Sequence, residues 1–126
     1  MDLTLKDRVL ILNNVLPMYD SRKNIGFKIS ITEKVKLSDA EQKDVVSTPI
    51  GNGEFAVSFK TVEAITGIRS FDFTDEELLY LKQRVDYIDR NGMFSAETAE
   101  SYTKILDAPF SSEAFQVRWE EAEGNR

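Results

Sequence analysis

The chain has 126 residues, 41% of them hydrophobic, a net charge of -6, and neither cysteine nor histidine. That length suits one domain around one core and is short for two. Without cysteine there are no disulfides, thiolate nucleophiles or sulfur-bound zinc. Without histidine there is no imidazole base or metal ligand, so any chemistry would rest on carboxylates, lysines, tyrosines and hydroxyls.

The opening MDLTLKDRVLILNNVLP reads as a helix. Thr4 is placed to cap it, Asp7 stands three residues on, and Leu5, Val9, Leu12 and Leu16 recur on one face until Pro17 ends the element. Its apolar part is broken by Asn13 and Asn14 and has no basic leader, so it is not a signal peptide. No apolar run approaches the length that spans a bilayer. A cytoplasmic location is the expectation. The next segment, NIGFKISITEKVKL, fits two periods: Ile25, Phe27, Ile29 and Ile31 alternate like a strand, whereas Phe27, Ile31 and Val35 stack at helical spacing. On propensity the strand leads, because the run is rich in β-branched residues and contains Gly26.

Ser38 with Glu41 three residues on announces a short helix. From Val45 to Phe73 the pattern turns to β: VVSTPI, a GNG hairpin turn at Gly51, Asn52 and Gly53, then EFAVSF with Phe55, Val57 and Phe59 on one face, and a less regular IRSFDF. Thr74 and Glu77 then open the clearest helix, with Leu78, Leu81, Val85 and Ile88 as its core stripe and Asn91 or Gly92 as its stop. A last helix is expected from Ser95, with Ala99, Tyr102 and Leu106 turned inward. Beyond Pro109 the chain reads as an acidic tail with a short extended segment at Phe115, Val117 and Trp119.

Candidate sites are few. DRNGMFSAETAE offers Asp89, Asn91 and Glu100 at calcium-loop positions, but Met93 and Phe94 occupy the places that need an oxygen ligand and a glycine. A helix stop, a staple and a new cap account for the same residues. GNG lacks the Lys-Ser/Thr of a phosphate loop. Asp75, Glu76 and Glu77 are adjacent on a helix, point in different directions and suit the positive end of the helix dipole. Tyr80, Tyr87 and Trp119 could form an aromatic contact surface.

The order of helix, ambiguous segment, short helix and hairpin could build a winged helix-turn-helix. However, its reading helix would carry Asp39, Glu41 and Asp44 against one lysine. Residues 1–36 hold 7 basic against 4 acidic side chains and residues 37–126 hold 9 against 18, a balance that argues against general nucleic-acid binding.

The order LTLKDRVLILNNVLP, then KVKLSDAEQKDV, a short β region and FTDEELLYLKQRVDYIDRNGMFSAETAESYTKIL resembles small proteins of unassigned function encoded by tailed bacteriophages and prophages. The likeness spans roughly residues 3–106 and rests on pattern. It implies that residues 21–36 are helical, against propensity, and carries no activity or site with it.

The expectation is therefore a mostly helical α+β single domain over residues 1–107. It has a small antiparallel sheet of two or three strands, a winged-helix-like N-terminal part, a C-terminal helix pair and an acidic tail at 108–126. The functional expectation is a non-enzymatic, phage-derived protein-interaction module using Phe115, Val117 and Trp119. It has no catalytic, cofactor or metal site and no membrane association, and homo-oligomerisation stays open. The alternative is a winged-helix-like DNA-binding regulator.

Overall fold

The computed structural model describes residues 1–51 and 54–124. Three helix starts are set by reciprocal capping boxes: Thr4 with Asp7 opens α1 (Leu5–Leu10), Ser38 with Glu41 opens α3 (Asp39–Asp44), and Thr74 with Glu77 opens α5 (Asp75–Arg90). In each, the hydroxyl accepts the amide three residues on and the carboxylate accepts the cap's own amide, which satisfies two backbone donors that a helix end leaves over.

Helix α1 runs into a π-helical turn, Ile11–Val15, and stops where Leu16 turns extended ahead of Pro17. The wider turn takes up an extra residue and rotates the side chains after it about the helix axis. The predicted stripe is therefore divided. Leu5 and Val9 pack with Ala64, Leu37, Val45 and Phe59, while Ile11, Val15 and Leu16 enter the main core and Leu12 lies at its margin.

The strand favoured by propensity at Ile25–Ile31 is a helix. Helix α2 spans Arg22–Val35, capped by Ser21. Tertiary burial decides the matter: Ile31 and Val35, four apart, are fully buried, and Phe27 lies against Tyr80 with ring centroids 5.9 Å apart. Ile29, which alternation would put beside Ile31, is 60% exposed. The helix is what the phage-protein resemblance implied.

Strands β2 (Val45–Gly51) and β3 (Glu54–Phe59) form an antiparallel hairpin in the register Val45↔Phe59 to Pro49↔Phe55. Asn52 and Gly53 of the predicted turn lie outside the described residues. The Lys60 amide donates to the Asp44 carbonyl at 2.9 Å. That bond makes Asp44/Lys60 a hydrogen-bonded pair, and strict alternation then makes Val46/Ser58 and Thr48/Ala56 the other bonded pairs. Val45, Ser47 and Pro49 on β2, and Phe55, Val57 and Phe59 on β3, consequently turn their backbone groups to the outer edges. Pro49 thus sits where a missing N–H breaks no ladder bond.

IRSFDF does not join this hairpin. Its Arg69–Ser70 (β4) pairs antiparallel with Asp2–Leu3 (β1), making a second two-stranded sheet. A short helix, α4 (Glu63–Thr66), precedes it. Gly67 is needed there, because a Cβ would meet the Glu63 carbonyl oxygen at 2.6 Å.

The α5 stripe of Leu78, Leu81, Val85 and Ile88 is buried as expected. Gly92, at φ +65°, lets the amides of residues 92 and 93 return to the carbonyls of Asp89 and Ile88. Helix α6 begins later than expected, at Ala99–Asp107, after a turn held by Ser95 and Thr98. Its inner face is Ser101, Tyr102 and Ile105, with Ala99 and Leu106 partly covered. The chain ends in α7 (Glu113–Gly124), where an extended segment was expected. The whole is 60% helical, an α+β single domain. Among the described residues no helix is long and apolar enough to cross a membrane.

Candidate interaction site

Helix α7 lies on α5 and contains all three predicted site residues. In an extended segment Phe115, Val117 and Trp119 would share a face. In a helix residues four apart do, and the residue between them turns away. Phe115 and Trp119 accordingly face inward, half-buried, whereas Val117 is exposed. Phe115 packs on the buried Phe110 with ring centroids 5.6 Å apart.

Two polar attachments hold this segment. The Asp75 carboxylate, in the first turn of α5, accepts the Ser111 and Ser112 amides at 2.8 and 2.9 Å. Lys82, 1% exposed, donates from Nζ to the Ile105 and Leu106 carbonyls at 2.9 and 2.6 Å, so it caps the end of α6. The same ammonium lies 5.2 Å from the Phe110 ring centre and 5.5 Å from that of Trp119, within cation–π range. Two shallow clefts flank Phe115. One, between α5 and α7, is lined by Leu79, Gln83, Trp119 and Ala122; the other, toward α2, by Lys23, Phe27 and Tyr80.

The acidic triplet separates as its spacing requires. Asp75 holds the α7 approach, Glu76 faces solvent and Glu77 is buried. Of the aromatic group, Tyr87 is exposed, while Tyr80 is buried and donates to Asp20 at 2.8 Å. Burial and that carboxylate push the Tyr80 hydroxyl pKa up. In the former calcium-loop stretch, Asn91 donates to the Tyr87 carbonyl at 2.7 Å and Phe94 packs on Tyr102 with ring centroids 5.1 Å apart. Among the described residues no three acidic side chains are grouped to hold a metal ion.

Buried charge was missed at sequence level. Asp7, Arg8, Glu77 and Lys82 are all within the buried set, although each occupies a position that helix patterning assigns to caps or solvent. Asp7 accepts the Thr4 amide at 2.9 Å, the Ser101 hydroxyl at 2.5 Å and the Lys104 ammonium. Burial alone would raise its pKa, but the bonds from Lys104, Ser101 and Thr4 together outweigh it and lower it. Glu77 behaves alike: burial opposes, and Lys34, Ser30 and Thr74 prevail. The Thr-x-x-acid boxes were the legible signal; the distant partners were not.

Desolvation pushes the Lys82 ammonium down to about 8, against attraction from Asp107 and Glu123. An amine whose folded pKa lies below its unfolded value binds fewer protons when folded, so stability rises with pH between the two. The unfolding free energy should therefore climb by roughly 2–3 kcal/mol from about pH 8 toward pH 10. In Lys82→Met that rise should vanish, and urea titrations across the window check it. An equal slope in the variant would remove Lys82 as its source.

Compared with known proteins, the chain matches no protein family, no curated protein and no solved structure.

Proposed function

We propose that the protein works by binding another protein, without chemistry of its own, and that α7 supplies the contact. The observation that carries this reading is the seating of α7. The helix contributes no fully buried residue, and its aromatic pair is only half covered. Large aromatic rings that retain exposed surface beside shallow clefts are common anchors of protein interfaces. The phage-protein resemblance would place the partner among phage or host proteins.

Truncation after Leu106 would also strip Phe110 from the core, so the cleaner test is Phe115→Ala with Trp119→Ala. Tagged wild type and the double variant would be used to pull down partners from lysate with and without nuclease, and circular dichroism would confirm that the variant is folded. A nuclease-resistant partner lost from the variant supports α7 as the contact. Equal recovery by both sinks it. Recovery only through nucleic acid would favour the winged-helix regulator.

A further inference from the structure

The two edges of the β2–β3 hairpin differ. On β2 the outward positions include Pro49, which offers no N–H, and the ladder slips between Pro49 and Gly51. Both features spoil a strand edge as a template. On β3 the outward positions are Phe55, Val57 and Phe59, none of them proline, in unbroken register. Among the described residues, the outward N–H and C=O groups of Val57 and Phe59 have no hydrogen-bond partner. A cleft of about 640 Å³ adjoins this part of the hairpin, lined in part by Val9, Leu10, Val57 and Phe59, with Val57 40% exposed.

We propose that the outer edge of β3 is a self-association site, where two copies of the chain join antiparallel into one four-stranded sheet. A second copy fits because the strand is complementary to itself. With a twofold axis at Val57, Val57 stands opposite its counterpart and Phe55 stands opposite Phe59 of the other copy. All three are outward positions, so each pairing is of the hydrogen-bonded kind and about six new backbone bonds form. The same register in EFAVSFK sets position 54 of one copy across from position 60 of the other, an acidic residue against a basic one, twice per dimer. Sliding the axis to Phe55 or Phe59 loses backbone pairs and both charge pairings. A two-stranded hairpin is marginal alone, and four strands with a shared apolar face are not. The resulting interface is isologous, which closes at two subunits.

Sedimentation velocity and light scattering across concentrations up to ~100 μM, a range that detects weak dimers, would show a dimer. Lys60→Glu turns two opposed charge pairs into like-charge pairs and should weaken association by roughly tenfold or more. Glu54→Lys added to Lys60→Glu restores opposite charges and should restore the dimer. Val57→Pro should give a monomer with unchanged circular dichroism, since the Val57 N–H lies outside the β2–β3 ladder. Phe115→Ala with Trp119→Ala should leave the dimer intact, which separates this surface from α7. A monomer at every concentration overturns the proposal. So does a dimer indifferent to Lys60→Glu, or one that the double charge exchange fails to recover.

Discussion

Arg8→Ala should lower the unfolding free energy by about 3–5 kcal/mol, the scale for stripping one partner from a buried ion pair. Only 3% of the Arg8 side chain is exposed. Its Nε donates to the Val35 carbonyl at 3.1 Å, and one terminal nitrogen donates to the Lys36 carbonyl at 2.7 Å and to Glu41 Oε1 at 3.1 Å. The other terminal nitrogen pairs with Glu41 Oε2. The guanidinium also lies 5.1 Å from the Phe71 ring centre. One planar cation thus satisfies the carbonyl end of α2 and locks the opening turn of α3, a geometry that lysine's single ammonium cannot reproduce. Arg8→Lys should recover only a small part of the loss. Urea melts measure both, and a midpoint shift in Arg8→Ala worth less than about 1 kcal/mol would show that water replaces these bonds readily.

Acidification should give the second large effect. Arg8, with help from Ser38, holds the Glu41 carboxyl down from 4.5 to about 2 despite burial. Asp7 and Glu77 are lowered too. A carboxyl depressed in the folded state stabilises above its unfolded pKa, and that contribution disappears as pH falls through the folded value. The window therefore runs from about pH 4.5 down to about pH 2. Glu41 alone represents up to roughly 3 kcal/mol, less a discount for the 27% of its side chain that meets water. Asp7 and Glu77, at 6% and 4% side-chain exposure, add in the same direction. Asp7→Asn keeps the shape but loses the ion pair with Lys104, so the variant should be less stable at neutral pH and show a shallower acid limb. An acid limb identical to wild type would mean that Asp7 contributes nothing to it.

Local chemistry was legible where it is self-contained. Three boxes, Thr4/Asp7, Ser38/Glu41 and Thr74/Glu77, could be read because cap and partner lie three residues apart. The α5 stripe could be read because one period fits it. Residues 25–31 were misread for the opposite reason: β-branched composition favours a strand by a small margin per residue, and burial of Ile31 and Val35 against other elements overrides it. Phe115 and Trp119 fit both a period of two and a spacing of four, and only contact with α5 selects the helix. Lys82 was unreadable as a buried group, since the carbonyls that receive it lie 23 and 24 residues along the chain.

The attachments of α1 also impose an order on folding. Arg8 needs Glu41, 33 residues on, and Asp7 needs Ser101 and Lys104, 94 and 97 residues on. A chain emerging from the ribosome can settle the first once α3 has been made, but the second must wait until α6 has been made. Until then the first helix holds a carboxylate without its main neighbours, and loop closure over that distance comes late. The α1–α6 contact is thus a closing step, and variants at Asp7 should change unfolding rates more than folding rates.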